Sequence, residues 1–197
     1  MLLVGCDWET DEEAKQICGA VFQPRTRGNK MAVWLNNWED EETILRIGRR
    51  IKERLDYQED MYFQTVEEQK SFTRGKDVNS GRYKVKFSLT ATATAPMAGE
   101  KTDDSALDPH AIQDTWTYYI YYLLGPDKWA EGLNKIAIFS TIEHFWSVMK
   151  RTKPPSRLKK CVDVYMFSSD IKPRWEDPRN ANGGRWILNF PKGAPID

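Results

Sequence analysis

Residues 18–35 read CGAVFQPRTRGNKMAVWL, and this stretch carries the strongest indication of the fold. Apolar and β-branched side chains dominate both of its ends, whereas its middle is polar and contains Gly28 and Asn29, a pair that favours a tight turn. We therefore predict two strands, at residues 18–25 and 30–35, joined as a hairpin.

A helix is predicted directly after the hairpin, over residues 39–55. Its acidic residues lie at the start and its basic residues near the end, which complements the helix macrodipole. Ile44, Ile47 and Ile51 recur at the spacing of one helical face. Because such a face needs an apolar surface to pack on, hairpin and helix together indicate an antiparallel sheet with helices on one side.

The rest of the chain alternates short strands and helices. At residues 140–143 the sequence Ser-Thr-Ile-Glu matches a capping box, with Ser140 as the N-cap and Glu143 reaching back. A helix is therefore predicted from there, and another over residues 1–16 with residues 1–4 as its buried end. Further strands are predicted at residues 62–65, 82–85, 115–123, 134–139, 163–167 and 185–190. The total of about eight strands and three helices indicates an α+β fold.

The composition describes one soluble globular domain of 197 residues with no net charge. Cys6, Cys18 and Cys161 are odd in number and lack a Cys-x-x-Cys spacing, and there are only two histidines, which disfavours disulfides and metal sites and favours a reducing, cytoplasmic location. No run is long and apolar enough to cross a membrane, and no signal peptide is recognisable. Residues 86–110 are rich in Ala and Thr and predict a flexible linker.

Eight tryptophans are far more than a chain of this length usually has. Trp129 and Trp175 lie in segments rich in Gly, Pro, Asn and Asp, which predict loops. Two loop tryptophans are typical of a clamp for a flat ring. The alternative for each is a ring that covers the edge of the core.

Charged residues near these tryptophans suggest what ring is bound. Glu176 can accept from the N1–H and 2-amino group of a guanine, a donor pair that no other base presents. Arg25 and Lys30 flank the hairpin turn and Arg185 opens a later strand, so they are candidates for phosphate binding. The alternative for all four is an ordinary solvated side chain. The basic run at residues 150–160 is a weaker candidate for contacts with RNA.

Two blocks of motifs resemble the eukaryotic translation initiation factor 4E family. Residues 110–192 resemble its first half through Asp114-Thr115-Trp116, Asp127-Lys128-Trp129, residues 139–146 (FSTIEHFW), residues 173–177 (PRWED) and residues 183–186 (GGRW). Residues 1–85 resemble its second half through residues 18–21 (CGAV), residues 25–34 (RTRGNKMAVW), residues 47–49 (IGR) and residues 52–55 (KERL). The halves are therefore expected in circularly permuted order within a single domain, with 1–85 as the family's C-terminal half, 86–110 as linker and 111–197 as its N-terminal half.

The resemblance implies a curved antiparallel sheet of eight strands backed by three helices, with a slot for the 7-methylguanosine cap of mRNA on the concave face. It implies that Trp129 and Trp175 stack on the cap and that Glu176 reads its guanine. Trp34 would face the N7-methyl group. Arg25 and Lys30 would hold the phosphates, and Arg185 would support them.

The resemblance also implies a protein partner, a helical peptide of an initiation factor 4G-like scaffold or a 4E-binding protein. Of the surface that the family uses for it, Gly5, Ile142 and Trp146 match. His110 matches the first residue of the family's His-Pro pair, but Ala111 replaces the proline. The family's acid and tryptophan ahead of the helix at Met1 do not follow residue 197.

Several functions remain open at this level. The first is a cap binder that recruits a scaffold in translation initiation, and the second is a cap-binding repressor or paralogue that does not. A general single-strand RNA binder would not distinguish capped from uncapped RNA. An enzyme such as a cap hydrolase or methyltransferase is disfavoured, because the sequence has no Gly-rich cofactor loop, no metal-binding carboxylate series and no activated nucleophile. No cofactor, metal or membrane partner is expected.

Overall fold

The computed structural model describes residues 10–71, 81–86, 110–124, 128–154 and 157–194. The elements follow in the order α1 (Asp11–Gln16), β1 (Ile17–Arg25), β2 (Gly28–Leu35), α2 (Glu41–Arg54), β3 (Met61–Thr65), α3 (Val66–Ser71), β4 (Tyr83–Val85), β5 (Ala111–Tyr122), α4 (Trp129–Gly132), β6 (Leu133–Thr141), α5 (Ile142–Arg151), β7 (Val162–Ser168), α6 (Pro178–Ala181) and β8 (Gly184–Pro191). Residues 1–4, the linker between residues 86 and 110 and both chain ends lie outside the described residues, so the predictions on them are not tested.

All eight strands of the described residues form one sheet, in the order β4-β3-β8-β2-β1-β7-β5-β6, with antiparallel neighbours throughout. The predicted sheet of eight strands is thus confirmed, as is the hairpin of β1 and β2. Gly28 and Asn29, which were predicted in its turn, instead belong to β2, and Arg25 pairs with Gly28 across a turn at residues 26–27. Gly28 has a φ of 145°, a conformation that side chains with a Cβ rarely adopt. In the described residues no helix has the length and apolarity to span a membrane.

One face of the sheet, called the helical face below, is covered by α2 and α5. The apolar stripe of α2, Ile44, Ile47 and Ile51, is fully buried there together with Trp186 of β8. The Trp186 indole N–H donates to the Ile44 carbonyl at 3.2 Å, and a Cβ at Gly48 would come within 2.5 Å of the indole ring. The packing of helices on one side of the sheet is therefore confirmed.

The opposite face, called the aromatic face, follows from the two-residue alternation of the strands. In β2, Val33 and Leu35 belong to the core under the helices, whereas Ala32 and Trp34 belong to a second cluster. That second cluster also contains Tyr121, Tyr165 and Phe167, with the partly buried Trp129 and Trp175 packed against it.

The described residues contain six helical segments instead of three. The helix predicted over residues 1–16 is wrong at Thr10, whose extended backbone caps α1 at its start. The short segments α3, α4 and α6 have no sustained apolar stripe, so periodicity did not indicate them. Trp129 was predicted in a loop but opens α4. The loop predicted around Trp175 does not extend through α6, where Asp177 caps the turn and Pro178 occupies a first-turn position in which its missing N–H costs nothing.

The start of α5 also differs from the predicted capping box. Thr141, not Ser140, is the N-cap, and its hydroxyl accepts from the His144 N–H at 3.2 Å. Glu143 does not reach back to the cap, because its carboxylate accepts from the backbone N–H of His110 at 3.1 Å and contacts the His110 ring at 2.5 Å. The helix therefore begins one residue later than predicted.

Candidate functional site

The centre of the aromatic face is a pair of residues on adjacent strands, Trp34 of β2 and Arg185 of β8, which lie directly opposite each other. The Trp34 ring meets Phe167 and Trp175 edge-on, with centroids 5.7 and 5.8 Å away. The Arg185 guanidinium carbon lies 5.5 Å from the Trp175 ring and 5.9 Å from the Trp34 ring. A cation is thereby fixed beside two indoles.

Trp175 is positioned by a turn between β7 and α6 that two buried polar side chains hold. The Asp177 carboxylate accepts from the backbone N–H groups of Lys172 and Arg179, at 2.9 and 3.0 Å. The Asn180 amide donates to the carbonyls of Lys172 and Arg174, each at 2.8 Å. Since buried side chains make these bonds, the turn has little freedom.

Glu176 follows Trp175 in this turn and is exposed. Its place next to Trp175 agrees with a role at the edge of a ring stacked on that indole. Its carboxylate forms no hydrogen bond or ion pair within the described residues, so its role as a guanine reader stays a prediction.

Trp129 is half-buried at the other end of the aromatic cluster. Its ring lies 6.1 Å from Tyr121 at an interplanar angle of 33°. Its side chain also hydrogen-bonds the Tyr165 hydroxyl. The indole N–H is the only donor that tryptophan offers, so it points toward β7.

The two half-buried tryptophans are the ends of one continuous row of rings, called the aromatic strip below. In order the strip is Trp129, Tyr121, Tyr165, Phe167, Trp34 and Trp175, and successive centroids lie 5.7 to 6.4 Å apart. Within the described residues Trp129 and Trp175 have no direct ring contact with each other. The structure thus brings both to one face, while a clamp with twice the stacking distance remains a prediction.

Three cations lie between the strip and the β1–β2 turn, namely Arg185, Lys30 and Arg25. Lys30 lies four residues before Trp34 on the same face, about 13 Å along the strand. Burial, the largest cause, and the nearby charges of Arg185 and Arg25 together lower the Lys30 pKa to about 8. An anion beside this buried lysine would favour its charged form.

Arg25 is already paired within the protein. Its guanidinium donates to both oxygens of the buried Asp163, at 2.6 and 2.9 Å, and Gln23 donates to the same carboxylate at 2.7 Å. Hydrogen bonding to Asp163 raises the Arg25 pKa. The side chain is still 41% exposed, so Arg25 is held in place with part of its donor edge open to solvent.

Two buried donors at the centre of the site have no partner among the described residues, Arg185 Nε and Trp34 Nε1. Burial also lowers the Arg185 pKa to about 10. A buried donor without an acceptor costs about 1–3 kcal/mol, so a ligand that accepts from these two groups would remove that cost. The arrangement therefore suits a flat ring with an anionic tail.

The sequence profile described as eukaryotic initiation factor 4E matches residues 1–81 and 111–197. The chain belongs to the eukaryotic initiation factor 4E family. Eukaryotic translation initiation factor 4E1 of Drosophila melanogaster is 35% identical over 108 residues, 55% of this chain and 42% of that protein. Eukaryotic translation initiation factor 4E-1 of Cucumis melo is 41% identical over 88 residues, 43% of this chain and 37% of that protein. These alignments span about two fifths of the length of either relative.

Among solved structures, the chain is similar to schistosome eIF4E, crystallised in a complex with m7GpppA and 4E-BP. The two are 48% identical over 45% of this chain and 49% of the schistosome chain, with a TM-score of 0.43.

The predicted partner surface of this family member lies on α5. Trp146 is 43% exposed and Ile142 is 40% exposed, and their spacing of four residues places them side by side on one face of the helix. Trp146 is held edge-on against the buried Phe145, 5.3 Å away. His110 is tied to the start of the same helix through Glu143, whereas Gly5 lies outside the described residues.

Sequence reasoning missed three of the six rings of the aromatic strip, Tyr121, Tyr165 and Phe167, and the side chains that support the site. Tyr165 and Phe167, together with Asp163, alternate along β7 and so share the aromatic face. Alternate residues of a strand lie on the same face, so the predicted strand at residues 163–167 already implied that these three side chains share a face. The site predicted from the sequence did not include them. Asp177 and Asn180 carried no comparable signal, because their partners are backbone groups of an irregular turn.

Proposed function

We propose that this protein binds the 7-methylguanosine cap of mRNA on its aromatic face. The observation that carries the proposal is the juxtaposition of the aromatic strip, bounded by Trp129 and Trp175, with the unpartnered donors of Trp34 and Arg185 and with Lys30, which lies buried near Arg185 and Arg25. The schistosome relative is described in complex with m7GpppA, which agrees with this ligand.

The base would stack on Trp129 and Trp175, with Trp34 facing its N7-methyl group. Methylation at N7 makes the guanine cationic, and a cation against an indole face gains about 1–2 kcal/mol when it is desolvated. Glu176 would accept from the guanine N1–H and 2-amino group. Selectivity for the methylated base would thus come from the rings, and selectivity for guanine from the carboxylate.

The phosphates would run from Arg185 toward Lys30. An anion there satisfies the buried Arg185 Nε and removes the cost of charging Lys30 among other cations. Arg25, already bonded to Asp163, would add only its exposed edge. Arg185 and Lys30 therefore carry the phosphate contacts, with Arg25 as an auxiliary.

Titration with 7-methyl-GTP and with GTP, followed by tryptophan fluorescence, tests the proposal. We expect strong quenching and a preference for the methylated nucleotide of about tenfold or more. Equal affinities would remove the cation–π argument. Uncapped single-stranded RNA is a third ligand, and affinity for it equal to that for the capped form would favour a general RNA binder.

The cellular role proposed is translation initiation in the cytoplasm, with a helical peptide of an initiation factor 4G-like scaffold or a 4E-binding protein on α5. The exposed side chains of Trp146 and Ile142 on α5 support the peptide site, and the schistosome relative was crystallised in a complex with 4E-BP. This family consists of cap-binding factors and not of enzymes. A peptide that binds this protein but not its Trp146→Ala variant would support recruitment, whereas no peptide binding would favour the repressor or paralogue.

We also infer that the two halves stand in swapped order within one domain. The family profile matches two separate blocks, and each alignment to a single relative covers only about half of this chain. Residues 1–85 would be the family's C-terminal half and residues 111–197 its N-terminal half, joined by residues 86–110.

A further inference from the structure

A short basic segment leads into β7 at residues 157–160. Arg157, Lys159 and Lys160 are all exposed, and none of them forms an ion pair within the described residues. The segment is not a free loop, since the Val162 N–H donates to the Lys159 carbonyl at 3.0 Å and the Leu123 N–H to the Cys161 carbonyl at 3.1 Å. These three cations are called the basic lead-in below.

The sheet places the basic lead-in beside the β1–β2 turn. Strand β7 pairs antiparallel with β1, with Val164 opposite Phe22, so its first residues lie next to the last residues of β1. The bond from Arg25 to Asp163, 2.6 Å long, spans this junction directly. Residues 157–160 therefore enter the sheet at the end where β1 turns back into β2.

The same end of the sheet is where the proposed phosphate chain leads. From Trp34 and Arg185 the ligand would pass Lys30 and reach the turn after Arg25, because Lys30 pairs with Gln23 and Arg25 with Gly28. Whatever follows the phosphates in a capped RNA leaves the protein at this end.

Two routes are open to the RNA from there, and their charges differ. On the β8 side a cavity of about 640 Å³ is lined by Arg25, Arg27 and Lys30. The carboxylates of Glu59 and Asp60 also line it, and Asp60 is paired with Lys84. On the β7 side the nearest carboxylate, Asp163, is neutralised by Arg25, and the basic lead-in adds three positive charges. The β8 side therefore mixes acids with its cations, whereas residues 157–160 contain no acid, so the β7 side attracts a polyanion more strongly.

From this we propose that Arg157, Lys159 and Lys160 bind the backbone phosphates of the first nucleotides that follow the cap. The inference rests on the proposed cap site and extends it by a sequence-independent contact surface. Exposed contacts of this kind act through counterion release, so they steepen the salt dependence of binding by about 0.7 in log–log slope per phosphate of a single strand.

The test compares 7-methyl-GTP with a capped oligonucleotide of about eight nucleotides, titrated over a range of salt concentrations. The variant is R157Q/K159Q/K160Q, and the matched control K15Q/R49Q/K70Q removes the same charge from exposed positions elsewhere. We expect the wild type to bind the oligonucleotide more tightly and with a slope about 2 units steeper than 7-methyl-GTP. The variant should lose that excess slope and several-fold of affinity for the oligonucleotide only, and the control should keep both.

The two proposals fail in different ways. Absence of 7-methyl-GTP binding by the wild type overturns the cap site itself. Normal 7-methyl-GTP binding with equal salt slopes for the two ligands, or equal losses in variant and control, overturns the role of the basic lead-in. Wild-type binding to phosphatidylserine vesicles, with no gain on the oligonucleotide, assigns these residues to a lipid surface and likewise overturns it.

Discussion

Arg185 and Trp34 are brought together at the centre of the site by the pairing of β2 with β8. Strand pairing places them opposite each other, so two buried N–H groups without partners among the described residues, Arg185 Nε and Trp34 Nε1, lie on neighbouring strands. The fold gains nothing from leaving these two N–H groups unpaired, since each unmet donor costs about 1–3 kcal/mol. A ligand that accepts from them would remove that cost.

Lys30 is expected to lower the stability of the folded state while it strengthens ligand binding, and both effects can be measured. Its pKa is lowered from 10.5 to about 8, chiefly by burial, so the charged form destabilises the folded state at neutral pH. Lys30→Met should raise the free energy of unfolding by about 1–2 kcal/mol. The same variant should weaken 7-methyl-GTP several-fold and leave the nucleoside 7-methylguanosine almost unaffected, as fluorescence titration of both will show.

The pH dependence of that stability gain follows from the sign of the shift. Below pH 8 the lysine is charged in both states and the folded state bears the full penalty. Between pH 8 and 10.5 the folded state releases its proton first, so wild-type stability rises and the advantage of Lys30→Met shrinks. Urea unfolding at about pH 7 and about pH 10 measures this, with Lys135→Met, on an exposed lysine of β6, as the control. An advantage that is constant with pH would contradict the origin in charge burial.

Glu176 offers a separate test of base specificity. Glu176→Ala should abolish the preference for 7-methyl-GTP over a methylated adenine nucleotide, because the buried N1–H and 2-amino donors lose their acceptor at a cost of about 1–3 kcal/mol. Glu131→Ala removes an exposed acid next to Trp129 and should leave the preference intact. Full preference in the Glu176 variant would show that another group reads the base.

At the level of elements, the start of α5 provides a matched pair of variants. Thr141 accepts from the His144 N–H, whereas Ser140 is exposed and has no capping bond. Thr141→Ala should therefore lower the free energy of unfolding by about 1 kcal/mol, and Ser140→Ala by no more than a few tenths. Urea midpoints of the two variants decide the matter, and a larger effect at Ser140 would restore the capping box that the sequence predicted.

The elements also show why sequence reasoning succeeded for strands and the long helix and failed elsewhere. Strand β7 and the stripe of α2 bury one face, so their periodicity is written in the sequence, whereas β2 ends in an apolar run, residues 32–35, that is buried on both faces. The short segments α4 and α6 are held by turn chemistry and by contacts with distant strands, which have no local pattern. The position of Arg25 beside the hairpin turn was predicted correctly. Its bond to Asp163 could not be predicted, because it depends on the pairing of β1 with β7.

For the whole molecule, the two halves of the chain are interleaved in one sheet. Strand β8, from the second half, lies between β3 and β2 of the first, while β7 carries β5 and β6 on the far side of β1. Neither half can therefore complete a sheet by itself. The connection from β4 to β5 must cross six strand spacings, about 29 Å, and residues 87–109 have an extended length on the order of 75 Å.

The order of the halves should then be exchangeable. A chain in which residues 110–197 precede residues 1–86, joined by a few Gly and Ser residues and lacking 87–109, should form the same sheet, since every strand pairing is kept. Loop closure changes its free energy of unfolding by only about 1 kcal/mol. The reordered chain should have the same melting temperature by circular dichroism and the same affinity for 7-methyl-GTP as the present chain.

A second sample is the present chain cut within residues 87–109. It separates the effect of losing the linker from the effect of the new joint, and its two fragments should stay associated on gel filtration. If the cut chain binds 7-methyl-GTP but the reordered chain is unfolded, the ends of the two halves do not meet in the family's order, and the swapped-halves inference is wrong.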